Sequence, residues 1–142
     1  MNELFRPGQH YYIASDSPSK PYSAVFEDDG ETGYFYAWEQ EGEGSGRILD
    51  AVYVYDVSSV VDGERASTAE IEWSLDGMKV ALLINAHPHA VFDFDAKRGY
   101  CRTDFPNFQQ QSEKGWRTES HEWDDAVMNY FSPVGTDSSG QQ

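Results

Sequence analysis

Tyr22-Ser-Ala-Val-Phe-Glu-Asp-Asp-Gly-Glu-Thr-Gly-Tyr-Phe-Tyr-Ala-Trp-Glu39 is the stretch that decides the fold. Aromatic and small apolar residues fill two runs, Tyr22 to Glu27 and Gly33 to Glu39, with Asp28-Asp29-Gly30-Glu31-Thr32 between them. Runs of this kind favour extended backbone because their side chains pack on a pleated surface. Gly30 supplies the positive φ that a tight connection demands, so the stretch reads as a β-hairpin.

The same pattern continues outward. Gly42-Glu43-Gly44-Ser45-Gly46 reads as a flexible loop. Beyond it, Leu49, Ala51, Tyr53, Tyr55 and Val57 share one parity, the expected buried face of a half-buried strand, with Asp50 and Asp56 on the other. Ile71, Trp73 and Leu75 alternate with Glu70, Glu72 and Ser74, and Asp76-Gly77 turns the chain into Lys79 to Asn85, apolar enough for a sheet centre. The phrase from Ile71 to Ala81 resembles a propeller-blade hairpin, but it occurs once and a propeller needs several copies. His87-Pro88-His89 reads as a break, Ala90 to Asp95 as a further strand, and Lys97-Arg98-Gly99 as a turn. Trp123, Ala126, Val127, Tyr130 and Phe131 fall at helical spacing, with Thr118 or Ser120 as N-cap and Pro133 beyond the end. The expected class is therefore α+β: a mainly antiparallel sheet of about six or more strands with one C-terminal amphipathic helix packed on it. Residues 1–131 form a single globular domain in this reading, and 132–142 a disordered acidic, polar tail.

Composition bounds the function. With 142 residues, 10 Lys plus Arg and 25 Asp plus Glu, the formal charge is −15, yet 39% hydrophobic and 15% aromatic content separates the chain from disordered acidic sequences. Repulsion from phosphates argues against nucleic acid and against anionic membrane surfaces, and favours a basic protein partner. Residues 27 to 72 hold 13 acids and 2 bases, net −11, and residues 119 to 142 hold 5 acids and no base, net −5. Two acidic blocks thus flank a nearly neutral centre. No apolar run is long enough to span a bilayer, and the start lacks a basic head with an apolar run behind it. One cysteine, Cys101, forms no internal disulfide, and a cytoplasmic location is expected.

Four groups of residues carry candidate chemistry. Glu27, Asp28, Asp29, Glu31, Glu39 and Asp50 are candidates for a surface that meets a basic partner. The crowded hairpin carboxylates lack calcium-loop spacing, since Tyr36 stands where that loop needs Glu. His87, His89 and Asp93 share a parity if the strand runs unbroken, and two imidazoles with a carboxylate suit a transition metal; Pro88 weakens that geometry. Tyr36, Trp38, Tyr53 and Trp123 are candidates for an aromatic ligand pocket between sheet and helix, against the simpler reading of core packing. Cys101 lies near Arg98 and Arg102, which would activate a thiol, but no sequence feature places a histidine beside it. No nucleophile elbow, Cys-x-x-Cys pair or zincin helix is present, so no catalytic residue and no cofactor is expected.

Three longer phrases carry a family resemblance: Ser23 to Ala37, Ile48-Leu-Asp-Ala-Val-Tyr-Val-Tyr55, and Lys79-Val-Ala-Leu-Leu-Ile-Asn-Ala-His-Pro-His-Ala-Val-Phe-Asp-Phe-Asp-Ala-Lys-Arg-Gly-Tyr-Cys-Arg102. Over about residues 20 to 106 the chain resembles the bacterial domain-of-unknown-function family 2251. The resemblance implies a small bacterial protein and assigns no activity, so it transfers no site residue. The functional expectation is a non-catalytic acidic binding module, in the manner of small immunity or inhibitor proteins. The alternatives are a small metal-dependent enzyme using His87 and His89, or an aromatic small-ligand domain.

Overall fold

The computed structural model describes residues 3–42, 45–60, 66–103, 115–117 and 121–131. Among the described residues nine strands run in chain order: β1 Glu3–Phe5, β2 Tyr11–Asp16, β3 Tyr22–Asp28, β4 Thr32–Gly42, β5 Ser45–Asp56, β6 Ser67–Trp73, β7 Lys79–Ile84, β8 His87–Asp93 and β9 Arg98–Cys101. They form two sheets with every strand pair antiparallel, β1-β6-β7-β8-β9 and β2-β3-β4-β5. The apolar face of each sheet is buried against the other, the arrangement of a β-sandwich.

Alternation explains which residues enter the core. Ala24 and Phe26 of β3, Phe35 and Ala37 of β4, Val80 and Leu82 of β7, and Ala90 and Phe92 of β8 are fully buried and belong to one cluster. Phe35 and Phe92 stack at 5.0 Å between the sheets. Full burial of a side chain this large contributes about 1.5–3 kcal/mol. Side chains stitch the two seams where the sheets' edges meet. At one, Trp73 Nε1 donates to Ser15 Oγ at 3.0 Å and Ser17 Oγ donates to the Gly77 carbonyl at 2.9 Å. At the other, the Cys101 thiol donates to the Tyr53 carbonyl at 3.1 Å, and the Thr103 hydroxyl donates to the same oxygen.

Among the described residues the expected C-terminal helix is absent, which makes the class all-β rather than α+β. Asp125–Tyr130 is a six-residue 3-10 turn, capped by the Asp124 side chain accepting from the Ala126 N–H at 2.9 Å. Asp124, Asp125, Val127 and Asn129 are weak helix formers, and Asp competes for backbone N–H groups as a cap. His121 is also drawn into the core and its carbonyl accepts from the Cys101 N–H, so the approach to the turn is extended. Val127 and Phe131 pack with Ala81 and Val91 on the outer face of the five-stranded sheet. The expected caps Thr118 and Ser120, Pro133 and the tail 132–142 lie outside the described residues.

Three smaller readings change as well. The break expected at His87-Pro88-His89 sits earlier, at Asn85 and Ala86, whose φ values of 53° and 65° make a tight turn, and both histidines lie on β8. The glycine-rich stretch after Glu39 is the end of a long hairpin, with β4 reaching Gly42 and β5 starting at Ser45. In β5 Leu49 and Tyr55 pack on the core as expected, but between them the parity inverts. Asp50 is fully buried with Val52 and Val54, whereas Tyr53 is 36% exposed. Register shifts at Gly33/Tyr34 and Ala37/Trp38 break the simple count across this pair.

Candidate functional site

Inversion of β5 places an aromatic row on the outside. Register pairs Tyr34 with Tyr53 and Tyr36 with Ala51, opposite in parity to the core pair Phe35 and Val52. Tyr34 and Tyr36 stack at 5.9 Å, and Tyr34 meets Tyr53 edge-on at 5.0 Å. Tyr12 on β2, 64% exposed, shares the parity through its pairing with Glu27. Trp38 continues the row along β4, and Gly46 makes room for it: a Cβ at Gly46 would lie 2.6 Å from the indole Nε1. The outer face of the four-stranded sheet therefore presents tyrosines and a tryptophan that the core does not absorb.

Carboxylates border this face. Glu27 accepts from the Tyr36 hydroxyl at 3.3 Å and faces His10 Nε2 at 3.5 Å. Burial first, and then the Glu27 charge, hold the Tyr36 hydroxyl well above its ordinary pKa, so it stays a proton donor. A shallow groove of about 370 Å³ crosses the same face, between Ala14 and Asp16 of β2, Ser23 and Val25 of β3, and Trp38 and Gln40 of β4. Tyr12, Asp16, Ser23 and Gln40 were not singled out by sequence. The alternation of Tyr12, Ala14 and Asp16 was the available signal, weakened by the strand's six-residue length.

The six acidic candidates separate. Glu27 lies on the open face, and Asp29 and Glu31 are exposed at the hairpin tip. Asp29 accepts from the Glu31 and Thr32 N–H groups at 2.9 Å, which lowers its pKa. Glu39 lies opposite Arg47 in register. Asp28 and Asp50 are fully buried and serve the fold. Asp28 accepts from Gly8 N–H and Gly30 N–H at 2.8 Å and from the Tyr55 hydroxyl at 2.6 Å, tying three segments together. Asp50 Oδ2 lies 2.8 Å from His121 Nε2, and its Oδ1 accepts from the Ala51 N–H.

The aromatic candidates separate too. Tyr36, Trp38 and Tyr53 are on the open face, but Trp123 packs with the cluster on the opposite sheet, under Arg102 at 4.4 Å from its ring. No single pocket joins the four.

His87 and His89 are neighbours, with ring centroids 6.2 Å apart, and both line a cleft of about 380 Å³ at one end of the sandwich with Phe5, Pro7, Tyr55 and Ile84. Burial, then the neighbouring His87 imidazole and Arg102 guanidinium, push the His89 imidazole down to about 4, so it is neutral near pH 7 and able to accept a hydrogen bond or bind a metal. Asp93 does not join them. It sits at the far end of β8, about 13 Å along the strand from His89. There it accepts from the Asp95 and Ala96 N–H groups and faces Lys79 Nζ at 4.0 Å. Among the described residues, no group of three His, Cys, Asp or Glu side chains is placed to hold a metal. Cys101 is buried between the sheets.

With this geometry in place, comparison with known proteins identifies the family. The family described as an uncharacterized protein conserved in bacteria, DUF2251, matches residues 5–132. The chain belongs to this family. The DUF2251 match takes in all nine strands except the first two residues of β1, together with the 3-10 turn that covers the five-stranded sheet. A Haemophilus influenzae relative, named only "Uncharacterized protein", is 44% identical over 85 residues, which is 60% of this chain and 52% of the relative. The chain thus aligns with about half the length of that relative. No solved structure matches. No helix among the described residues is long and apolar enough to cross a membrane.

Proposed function

We propose that this DUF2251 chain is a non-catalytic binding module that engages a basic protein partner through the outer face of its four-stranded sheet, in the manner of a small inhibitor or immunity protein. One observation carries the reading: Tyr12, Tyr34, Tyr36, Trp38 and Tyr53 share an exposed sheet face with Asp16 and Glu27. Tyrosine and tryptophan present large contact area with few rotatable bonds and are enriched where binding energy concentrates. A net charge of −15 steers a cationic surface toward them and sets the on-rate more than the final affinity.

Capture from a native bacterial lysate at two ionic strengths tests this. The wild-type chain is expected to retain a basic protein at low salt and to lose most of it when the Debye length falls to about 3 Å in 1 M salt. The triple variant Tyr12→Ser, Tyr36→Ser, Tyr53→Ser, shown by circular dichroism to be folded, is expected to retain none. Equal retention by the triple variant, or no basic protein held at low salt, overturns the reading.

A further inference from the structure

The groove on the open face has the shape and chemistry of a socket for one cationic side chain. Its walls are apolar: Ala14, Val25 and the Trp38 indole. Its polar end is a relay. Gln40 Nε2 donates to Ser23 Oγ at 3.3 Å, and Ser23 Oγ donates to Asp16 Oδ1 at 2.6 Å. That directionality uses one amide N–H, the hydroxyl proton and one carboxylate oxygen. Asp16 Oδ2 and Gln40 Oε1 are left as two acceptors in the groove that the indole also lines, and none of the described cations pairs with Asp16. The nearest cation on β5, Arg47, is already held by Glu41, donating at 3.1 Å.

We propose that this groove binds an arginine side chain of the basic partner. The aliphatic stem lies along Ala14 and Val25, the planar guanidinium stacks on Trp38, and its forked N–H groups reach Asp16 Oδ2 and Gln40 Oε1. Arginine fits better than lysine because only a planar cation can stack on the indole and donate in two directions at once. Ser23 is buried and holds the Asp16 carboxylate in place, so the charge is oriented before the ligand arrives. The proposal rests on the open sheet face being the partner surface, and it adds which side chain that surface reads.

The test uses the full chain and a defined probe, the blocked tripeptide acetyl-Gly-Arg-Gly-amide, titrated while the Trp38 indole N–H and the Ser23 and Gln40 amides are followed by NMR. Saturable shifts at these three residues are expected. The citrulline tripeptide, which keeps the shape and loses the charge, and the variant Asp16→Asn should each weaken binding about tenfold, and the lysine tripeptide should bind more weakly than the arginine one. Asp16 is exposed, so the variant is expected to fold, and an unchanged far-UV spectrum checks this. No shift at Trp38 with the arginine peptide, or equal shifts with citrulline, overturns the socket. So does an Asp16→Asn chain that still binds the peptide with wild-type affinity. The partner reading fails separately: a lysate that yields no basic protein removes it, whereas a partner captured equally by wild type and Asp16→Asn removes the socket and leaves it standing.

Discussion

The two sheets turn opposite kinds of outer face to their surroundings. On the five-stranded sheet, Ala81 and Val91 lie under Val127 and Phe131, supplied by the chain's own 3-10 turn. On the four-stranded sheet, a row richer in large rings stays half-buried or exposed. A face that the chain covers for itself uses small residues beneath a few large ones. A face left with tyrosines and a tryptophan is built to be covered by something else.

The covered face should be the more fragile of the two, and four measurements can break or sharpen that contrast. The largest effect is expected at the anchor of the covering segment. Asp50 and His121 are both fully buried, so His121→Ala takes a buried imidazole away from a buried carboxylate and should cost about 3–5 kcal/mol in urea denaturation. A loss under 1 kcal/mol would show that the segment is held some other way. Phe131→Ala, which empties the covering cluster without leaving a charge, should cost about 2–4 kcal/mol.

The third measurement is pH dependence. An imidazole that titrates near 6.5 in the unfolded chain and near 4 in the fold takes up its proton first when unfolded. Acidification between those values therefore favours the unfolded state, and stability falls as pH drops from about 6.5 to about 4. Allowing for partial exposure, His89 should account for on the order of 1–2 kcal/mol of that fall, and His89→Leu should flatten the profile by this amount. A profile unchanged in the variant would remove His89 as the cause. The smallest effect on stability belongs to the open face. Tyr53→Ala should change the unfolding free energy by less than about 1 kcal/mol while abolishing partner capture, and a large stability loss there would mean the ring belongs to the fold.

Sequence legibility divides along the same line. The turns at Gly30 and Gly77 were readable because their chemistry is local, and the two glycines take φ values of 101° and 72°; β7 is the middle strand of its sheet. A period of two says which residues share a face and not which face is inside. For β5 the choice is made by Asp50, whose partner His121 is 71 positions away. No local pattern carries that information. The helical spacing from Trp123 to Phe131 misled as well. Trp123, Val127 and Phe131 do meet one surface, but Ala126 is exposed and the segment is a short 3-10 turn rather than a helix. Of the candidate sites, Tyr36, Trp38, Tyr53 and Glu27 are named by the sequence alone, whereas the relay from Gln40 through Ser23 to Asp16 exists only once β2, β3 and β4 are side by side.

Cys101 gives this molecule a built-in clock. Its thiol is 1% exposed and closes one seam by donating to Tyr53, a residue of the open face. A disulfide reagent can reach it only when that edge parts, so the rate of thiol labelling measures how often the seam opens, without any added probe. A partner seated across Tyr53 would slow that rate, letting occupancy of the outer face be read from a buried sulfur on the other side of the same strand.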